Sequence, residues 1–238
     1  MPLAMKMTQV TQNSYQLNRL GFVNCYLVRE NDGFTLIDTG IFSSSAAGIL
    51  DAARELGGTI RRILLTHAHT DHVGSVDALV NKLGADQVEL ISNERSLPIL
   101  RTPPDLSMRP GEAPGKIKGG TPGIKSKPTR LLVEGETVGS LRCIDTPGHI
   151  PGHMSFLDER DGTLFAGDAL VAVGELNVSN HAPWFFPFPK FVTWNAEVAV
   201  SSAENLLAYP IERFACGHGP VRQGGIPALR QAIAKVKA

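Results

Sequence analysis

Hydrophobic and polar positions follow two periods along the chain. FVNCYLVRE (22–30) and GFTLID (33–38) place β-branched and aromatic residues on either side of Asn31-Asp32-Gly33, a strong hairpin signal, and predict two strands entering a sheet. The pattern then lengthens to a helical one in AAGILDAARELG, with Ser43 to Ser45 as N-cap chemistry and Gly57-Gly58 as the stop. IRRILLT (60–66) reads as an apolar strand and THAHTDHVG (66–74) as a loop. SVDALVNKLG (75–84) reads as a helix with Val76, Leu79, Val80 and Leu83 on its apolar face. VELIS, TRLLVE and LRCIDT predict strands, and MSFLDERDGTLFAGD a hairpin turning at Asp161-Gly162. FVTWNAEVAVSSAENLLAY predicts one long helix, ERFACGHG a strand running into a loop, and a final helix starts near Pro227. Strands occur both in runs and in βα alternation, which predicts an α/β (α+β) chain of layered sheets with helices outside.

Composition narrows this picture. At 238 residues, 42% of them hydrophobic, the chain can bury a sizeable core, and a single domain over 1–238 is expected. Residues 97–128 interrupt the pattern with seven of the 16 prolines, five glycines, six basic residues and two acidic ones. A stretch of that length without periodicity is expected to be either a lid or a plain surface loop. With 23 basic and 23 acidic residues there is no global field for polyanions, so a small-molecule partner is expected rather than nucleic acid. MPLAMKMTQV has too short an apolar run for a signal peptide, and no window approaches the roughly 20 apolar residues of a spanning helix, so no membrane partner and a cytoplasmic location are expected. Cys25, Cys143 and Cys216 are far apart and odd in number, which argues for buried small hydrophobes instead of a disulfide framework or a CxxC metal site.

The candidate chemistry lies in residues 67–72, where three histidines and an aspartate occupy six positions. In an extended loop His67 and His69 point the same way, and two imidazoles converging on one point make a metal site. Asp71 and His72 are adjacent and cannot both follow that direction, so they suit a second ion beside the first. A tetrahedral ion needs more than two protein ligands, which draws in His149 of TPGHIPGH and His218 of CGHG, both on Gly-flanked loops after predicted strands. Asp168 of LFAGDAL follows a third strand end and has two oxygens with which to bridge two cations.

HAHTDH, followed by TPGH, FAGD and CGHG, resembles the metallo-β-lactamase-fold hydrolase superfamily; with the aspartate of LIDTG, all five of its motifs match in order over nearly the whole chain. The resemblance implies a four-layer αββα sandwich with a dinuclear metal site, two Zn2+ in most members, with iron or manganese as other occupants. Carried over residue by residue, it implies one metal held by His67, His69 and His149, the other by Asp71, His72 and His218, and Asp168 between them. Asp38 matches the motif whose carboxylate supports the ligands from behind. His153 competes with His149, but the pattern places the ligand directly after TPG, which leaves His153 a packing or supporting role. Asp71, beside the nucleophile, is expected to orient it or carry its proton.

The implied reaction is metal-dependent hydrolysis of a carboxylic ester, thioester or lactone by a metal-bridged hydroxide, and the motifs are closest to glyoxalase II-like and lactonase-like members. Asp168 stands in the region where exported β-lactamases of this type carry cysteine or serine, and His69 where diiron flavoproteins carry glutamate. Glyoxalase II carries a further C-terminal helical domain, whereas 20 residues follow His218 here; lactonases typically place a tyrosine where Val171 stands. Two alternatives stay open: a mono-iron sulfur dioxygenase of the same fold, and a non-catalytic metal-containing binder of a small ligand. WFFPFPKFVTW (184–194) gathers six of the 15 aromatics, either as an apolar wall suited to an acyl or aryl group, as a homodimer contact, or as residues buried under the following helix. The basic 97–128 stretch would then cover an anionic end of the substrate, and His181 would touch substrate or cap a loop.

Overall fold

The computed structural model describes residues 5–237. The chain divides into two compact units, one through Pro104 with Gly120–Leu132, the other of Asp105–Gly119 and the chain from Val133 onward.

In the first unit the elements run β1 (Lys6–Gln9), β2 (Ser14–Arg19), β3 (Val23–Glu30), β4 (Gly33–Ile37), α1 (Ser45–Glu55), β5 (Ile60–Leu64), α2 (Thr70–Val73), α3 (Val76–Leu83), β6 (Glu89–Asn93), α4 (Ser96–Leu100) and β7 (Arg130–Leu132). The seven strands form one sheet in chain order, antiparallel from β1 to β4 and parallel from β4 to β7. The expected hairpin is β3–β4, closing at the Glu30–Gly33 pair. Strands β1 and β2 are not among the expected elements: β1 is largely exposed, and in β2 the alternation is confined to Tyr15 and Leu17, too short a pattern to mark a strand. Helix α1 buries Ile49 completely, an effect of roughly 1.5–3 kcal/mol. It stops where expected, with Gly57 at φ 75° and the Gly58 N–H on Ala53 O at 3.0 Å. The serine cap is absent: Ser44 has helical dihedrals instead of the extended ones a capping side chain needs, and the Ser44 and Ser45 hydroxyls accept from Arg19 at 2.9 and 2.7 Å.

The second unit contains β8 (Thr137–Val138), β9 (Leu141–Asp145), β10 (Met154–Asp158), β11 (Thr163–Gly167), β12 (Leu170–Val171), β13 (Asn177–Val178), α5 (Phe188–Val192), α6 (Ala196–Asn205), β14 (Arg213–Cys216), β15 (Arg222–Gln223) and α7 (Gly225–Lys237). Its main sheet has the order β15-β14-β11-β10-β9-β8, and Leu157, Leu164, Leu206, Phe214 and Leu229 belong to the apolar cluster around it. Strands β9 and β11 both run antiparallel to β10, and β14 runs parallel to β11, so all three end at one edge of the sheet. The TPGH, GD and GHG turns come directly after those three ends.

Two expectations change. The long helix over 191–209 is broken at Thr193–Asn195, because the N–H groups of Trp194 and Asn195 go to His149 O (2.9 Å) and Gly148 O (3.0 Å) instead of to a helical turn. Helix α6 restarts with the Asn195 side chain accepting from Val198 N at 3.0 Å. The 97–128 stretch is fastened along its length. Within the second unit, Asn195 Nδ2 donates to Pro114 O (3.2 Å) and the Lys118 ammonium to Thr193 O (3.4 Å). Within the first, Thr70 N–H donates to Gly120 O (2.9 Å), and Asp77 accepts the N–H groups of Lys125 and Ser126. Partial burial opposes ionisation of Asp77, but those donors outweigh it and hold the carboxyl below its usual range. No helix among the described residues is long and apolar enough to cross a membrane.

All three cysteines are buried as expected, and burial raises each thiol, Cys143 to about 12 with help from the nearby Asp145, Glu134 and Glu136 carboxylates. The folded protein is therefore expected to leave all three thiols unreactive toward 5,5′-dithiobis(2-nitrobenzoate) at pH 8 and to release all three on denaturation; rapid reaction in the native state would contradict their burial.

Candidate metal centre

In the first unit, β4 and β5 are parallel with Ile37 opposite Leu64, so Asp38 and the Thr66-His67 turn leave the sheet at the same edge. Asp38 is buried and adopts a left-handed φ of 56°, uncommon for a residue with a side chain. Its Oδ1 accepts the Thr66 N–H at 2.8 Å, while Oδ2 meets the Thr66 hydroxyl and His72 Nδ1, both at 2.7 Å. A carboxylate only accepts, so the His72 proton sits on Nδ1 and the Thr66 hydroxyl proton points at Asp38. Thr66 Oγ1 is then an acceptor for His67 Nδ1 at 3.0 Å. In the neutral rings both Nε2 atoms consequently carry a lone pair, so one aspartate sets two tautomers, directly for His72 and through a hydroxyl for His67.

His67 Nε2 lies 3.1 Å from His69 Nδ1. Two nitrogens at 2.0–2.1 Å on one tetrahedral ion stand roughly 3.3 Å apart, so the spacing is that of a shared metal. His72 lies on the short turn α2, its ring centroid 4.0 Å from that of His67, and Asp71 Oδ2 is 3.8 Å from His72 Nε2. The His72 carbonyl accepts both the N–H and the hydroxyl of Thr39 at 2.8 and 2.9 Å. Gly74 ends this turn against Ile41: a Cβ there would stand 2.1 Å from Ile41 O, so only glycine lets the turn seat.

In the second unit, Asp168 Oδ2 stands 3.1 Å from His218 Nε2 and 3.5 Å from His149 Nε2, all three residues buried. Thr193 Oγ1 donates to Pro189 O (2.7 Å), so at 3.4 Å it can only accept from His149 Nδ1, which leaves the His149 lone pair on Nε2, facing the carboxylate. His153 is placed differently. Its Nε2 accepts the Asp168 N–H (3.0 Å) and its Nδ1 therefore donates to Thr146 Oγ1 (2.9 Å), in contact with Ser155 Oγ (2.8 Å). Nε2 thus holds the backbone that presents Asp168 while Nδ1 fixes the ring, which is a supporting role. Gly148 permits the loop's approach to α6: a Cβ there would lie 2.3 Å from Ala199 Cα.

The donor chemistry in each unit fits a divalent cation: imidazole nitrogens and carboxylate oxygens within 3.1–3.8 Å of one another, with the Nε2 lone pairs of His67, His72 and His149 already set. Thr66, Thr146 and Thr193 are the contributors that sequence reasoning missed. The first two stand beside ligand motifs, whereas Thr193 has no local signal and depends on the break before α6. The aromatic segment divides: Trp194 is buried, but Trp184, Phe185, Phe188 and Phe191 are exposed, so burial does not describe the segment as a whole. His181 is exposed on a single turn, Ser179–His181.

A family model described as the metallo-beta-lactamase superfamily matches residues 18–218. The chain is 47% identical over 216 residues to the protein YobT of Bacillus subtilis, covering 90% of this chain and 91% of that one. It is 31% identical over 149 residues to a hydroxyacylglutathione hydrolase of Rhodopseudomonas palustris, covering 63% of this chain but 48% of that protein. Among solved structures, a metallo-β-lactamase of Cronobacter sakazakii superposes with a TM-score of 0.70 at 19% identity, covering 98% of this chain and 95% of its own. TTHA1623 in a di-iron-bound form superposes with a TM-score of 0.61 at 26% identity, covering 89% and 94%. These likenesses bear out the expected fold class.

The role of Asp38 is open to a direct test. Asp38→Asn keeps the shape but removes the charge that holds both Nδ1 protons, and divalent-metal affinity is expected to fall about 10–100-fold, read by competition with a chromophoric chelator. An unchanged affinity in a folded variant would contradict the tautomer assignment.

Proposed function

The chain belongs to the metallo-β-lactamase superfamily, and from that membership we propose that it is a metal-dependent hydrolase of a carboxylic ester, thioester or lactone. The observation that carries the reading is the pair of buried donor groups, His67 with His69 and His72 in one unit and Asp168 with His149 and His218 in the other, in which the tautomers of His67, His72 and His149 are already set. We propose that the two units act together as one domain over 1–238. One ion would be held by His67, His69 and His149, the other by Asp71, His72 and His218, with Asp168 as a carboxylate ligand for the pair.

Bound there, two divalent cations supply a water of near-neutral pKa and polarise the substrate carbonyl. The chain's own residues do the rest. Asp38, Thr66 and Thr193 hold the imidazole tautomers, and His153 holds the Asp168 backbone. Asp71 has a side chain 26% exposed, against 4% for Asp38 and Asp168, so it is the carboxylate of the set that can exchange protons with solvent and pass one to the leaving group. Nitrogen and oxygen donors suit zinc; the di-iron form of TTHA1623 makes iron the second reading of the metal. The hydroxyacylglutathione hydrolase relatives favour thioesters within the proposed substrate class.

The test pairs metal analysis of protein purified without added metal with a panel of ester, thioester, lactone and phosphodiester substrates. The expectation is about two ions per chain and turnover within the carboxylic classes, both lost in His69→Ala. A single iron with oxygen uptake would replace the hydrolase by the dioxygenase reading, and full metal loading with no turnover anywhere would replace it by the binder.

A further inference from the structure

The stretch Trp184–Phe191 does not behave like a connection between β13 and α6. Trp184 is 88% exposed, Phe185 55%, Phe188 68% and Phe191 66%. An isolated exposed ring needs no explanation, but four within eight residues form the kind of apolar patch that soluble chains retain where something binds. The segment is also held. Pro183, Pro187 and Pro189 restrict its backbone, the Phe186 N–H bonds Pro183 O at 2.9 Å, Pro189 is buried, and both the N–H and the hydroxyl of Thr193 close on Pro189 O at 3.0 and 2.7 Å. Rings presented on so constrained a backbone lose little entropy when they bind.

Continuity with the candidate centre decides what they bind. The Phe186 ring centroid is 5.2 Å from the His218 imidazole on one side and 5.7 Å from the Phe188 ring on the other. The contacts run from a proposed metal ligand, through one half-buried ring, to an open one. Along the aromatic segment itself, residues 176–196 hold Lys190 and no aspartate or glutamate, and the Lys118 ammonium sits on Thr193 O, so a carboxylate meets the path at its His218 end, where Asp168 lies 3.1 Å away. Along the segment a cationic arm is therefore disfavoured, whereas an apolar arm is accommodated.

We propose that Phe186 and Phe188 form the track for a medium-length acyl chain of the substrate, whose carbonyl lies at the His218 end; the inference rests on the hydrolase reading and names its substrate class. A buried methylene is worth about three- to fourfold in binding, less on an open surface. The catalytic efficiency kcat/KM should therefore climb at least tenfold from 4-nitrophenyl acetate to 4-nitrophenyl octanoate, and Phe188→Ser should flatten that dependence. Serine at so exposed a position leaves the fold intact, as circular dichroism and metal content will report.

A readout without turnover separates this inference from the reaction itself: decanoate titrated into metal-loaded protein should change the fluorescence of the exposed Trp184, with weaker binding in Phe188→Ser. If no ester, thioester or lactone is cleaved but decanoate binds in this way, the hydrolase reading fails and the track stands. If esters are cleaved with no dependence on chain length, the track is overturned and the hydrolase stands. The track is equally overturned if decanoate is not bound and the rings instead mediate sedimentation with phosphatidylcholine vesicles or self-association, each abolished by Phe188→Ser.

Discussion

The Asp38 carboxylate is the constraint on which the first unit's donor group depends. It accepts three hydrogen bonds, from the Thr66 amide, the Thr66 hydroxyl and His72 Nδ1, while its own backbone is held left-handed at φ 56°. Strain of that kind costs roughly 1–3 kcal/mol, and hydrogen bonds to a charged group contribute roughly 1.5–3 kcal/mol each. The bonds win, and the backbone stays where the carboxylate needs it. The protons are thereby fixed in a definite arrangement: both His72 and His67 present Nε2 lone pairs before any ligand arrives. Ordering of this sort lowers the cost of binding a cation, because the tautomers and ring orientations have already been selected.

The second unit reaches the same end by different chemistry. Behind His149 stands Thr193, with its proton directed to a backbone carbonyl so that the imidazole must donate. Behind Asp168 stands His153, which takes the backbone N–H and is itself locked through Thr146 and Ser155. In both units the supporting hydroxyls are threonines on strand-end or helix-end turns, where the branched side chain is stiff at χ1 and holds its hydroxyl in one direction. The folds explain why such turns are available: β4 and β5 in one unit, and β9, β11 and β14 in the other, run in the same direction within their sheets, so the chain leaves each sheet repeatedly at one edge.

Much of this was legible in the sequence. HAHTDH could be read because its donors are close in sequence, and its spacing alone carries direction. TPGH, FAGD and CGHG could be read because each comes after an apolar run that ends at a glycine. The strands with clear apolar runs, the β3–β4 and β10–β11 hairpins, and the helices α1, α3 and α7 were legible from period and punctuation in the same way. Features set by long-range partners could not be read. Thr193 acts on His149 across 44 positions of sequence, and the interruption before α6 exists because two amides satisfy the TPGH loop. The serines before α1 looked like caps but serve Arg19, a residue 25 and 26 positions away. The 97–128 stretch shows no periodicity because it is fastened by single contacts to Asp77, Thr193 and Asn195, and its buried apolar residues, Ile99, Leu100, Ile117 and Ile124, follow neither a helical nor a strand period.

We propose that the donors serve one pair of adjacent ions. X-ray absorption at the metal edge of the purified, metal-loaded protein tests it most directly. The account predicts a nitrogen and oxygen shell near 2.0–2.2 Å with imidazole outer-shell scattering, plus a metal–metal vector at roughly 3.5–4 Å. An imidazole-rich shell with no metal–metal vector at full loading would contradict it.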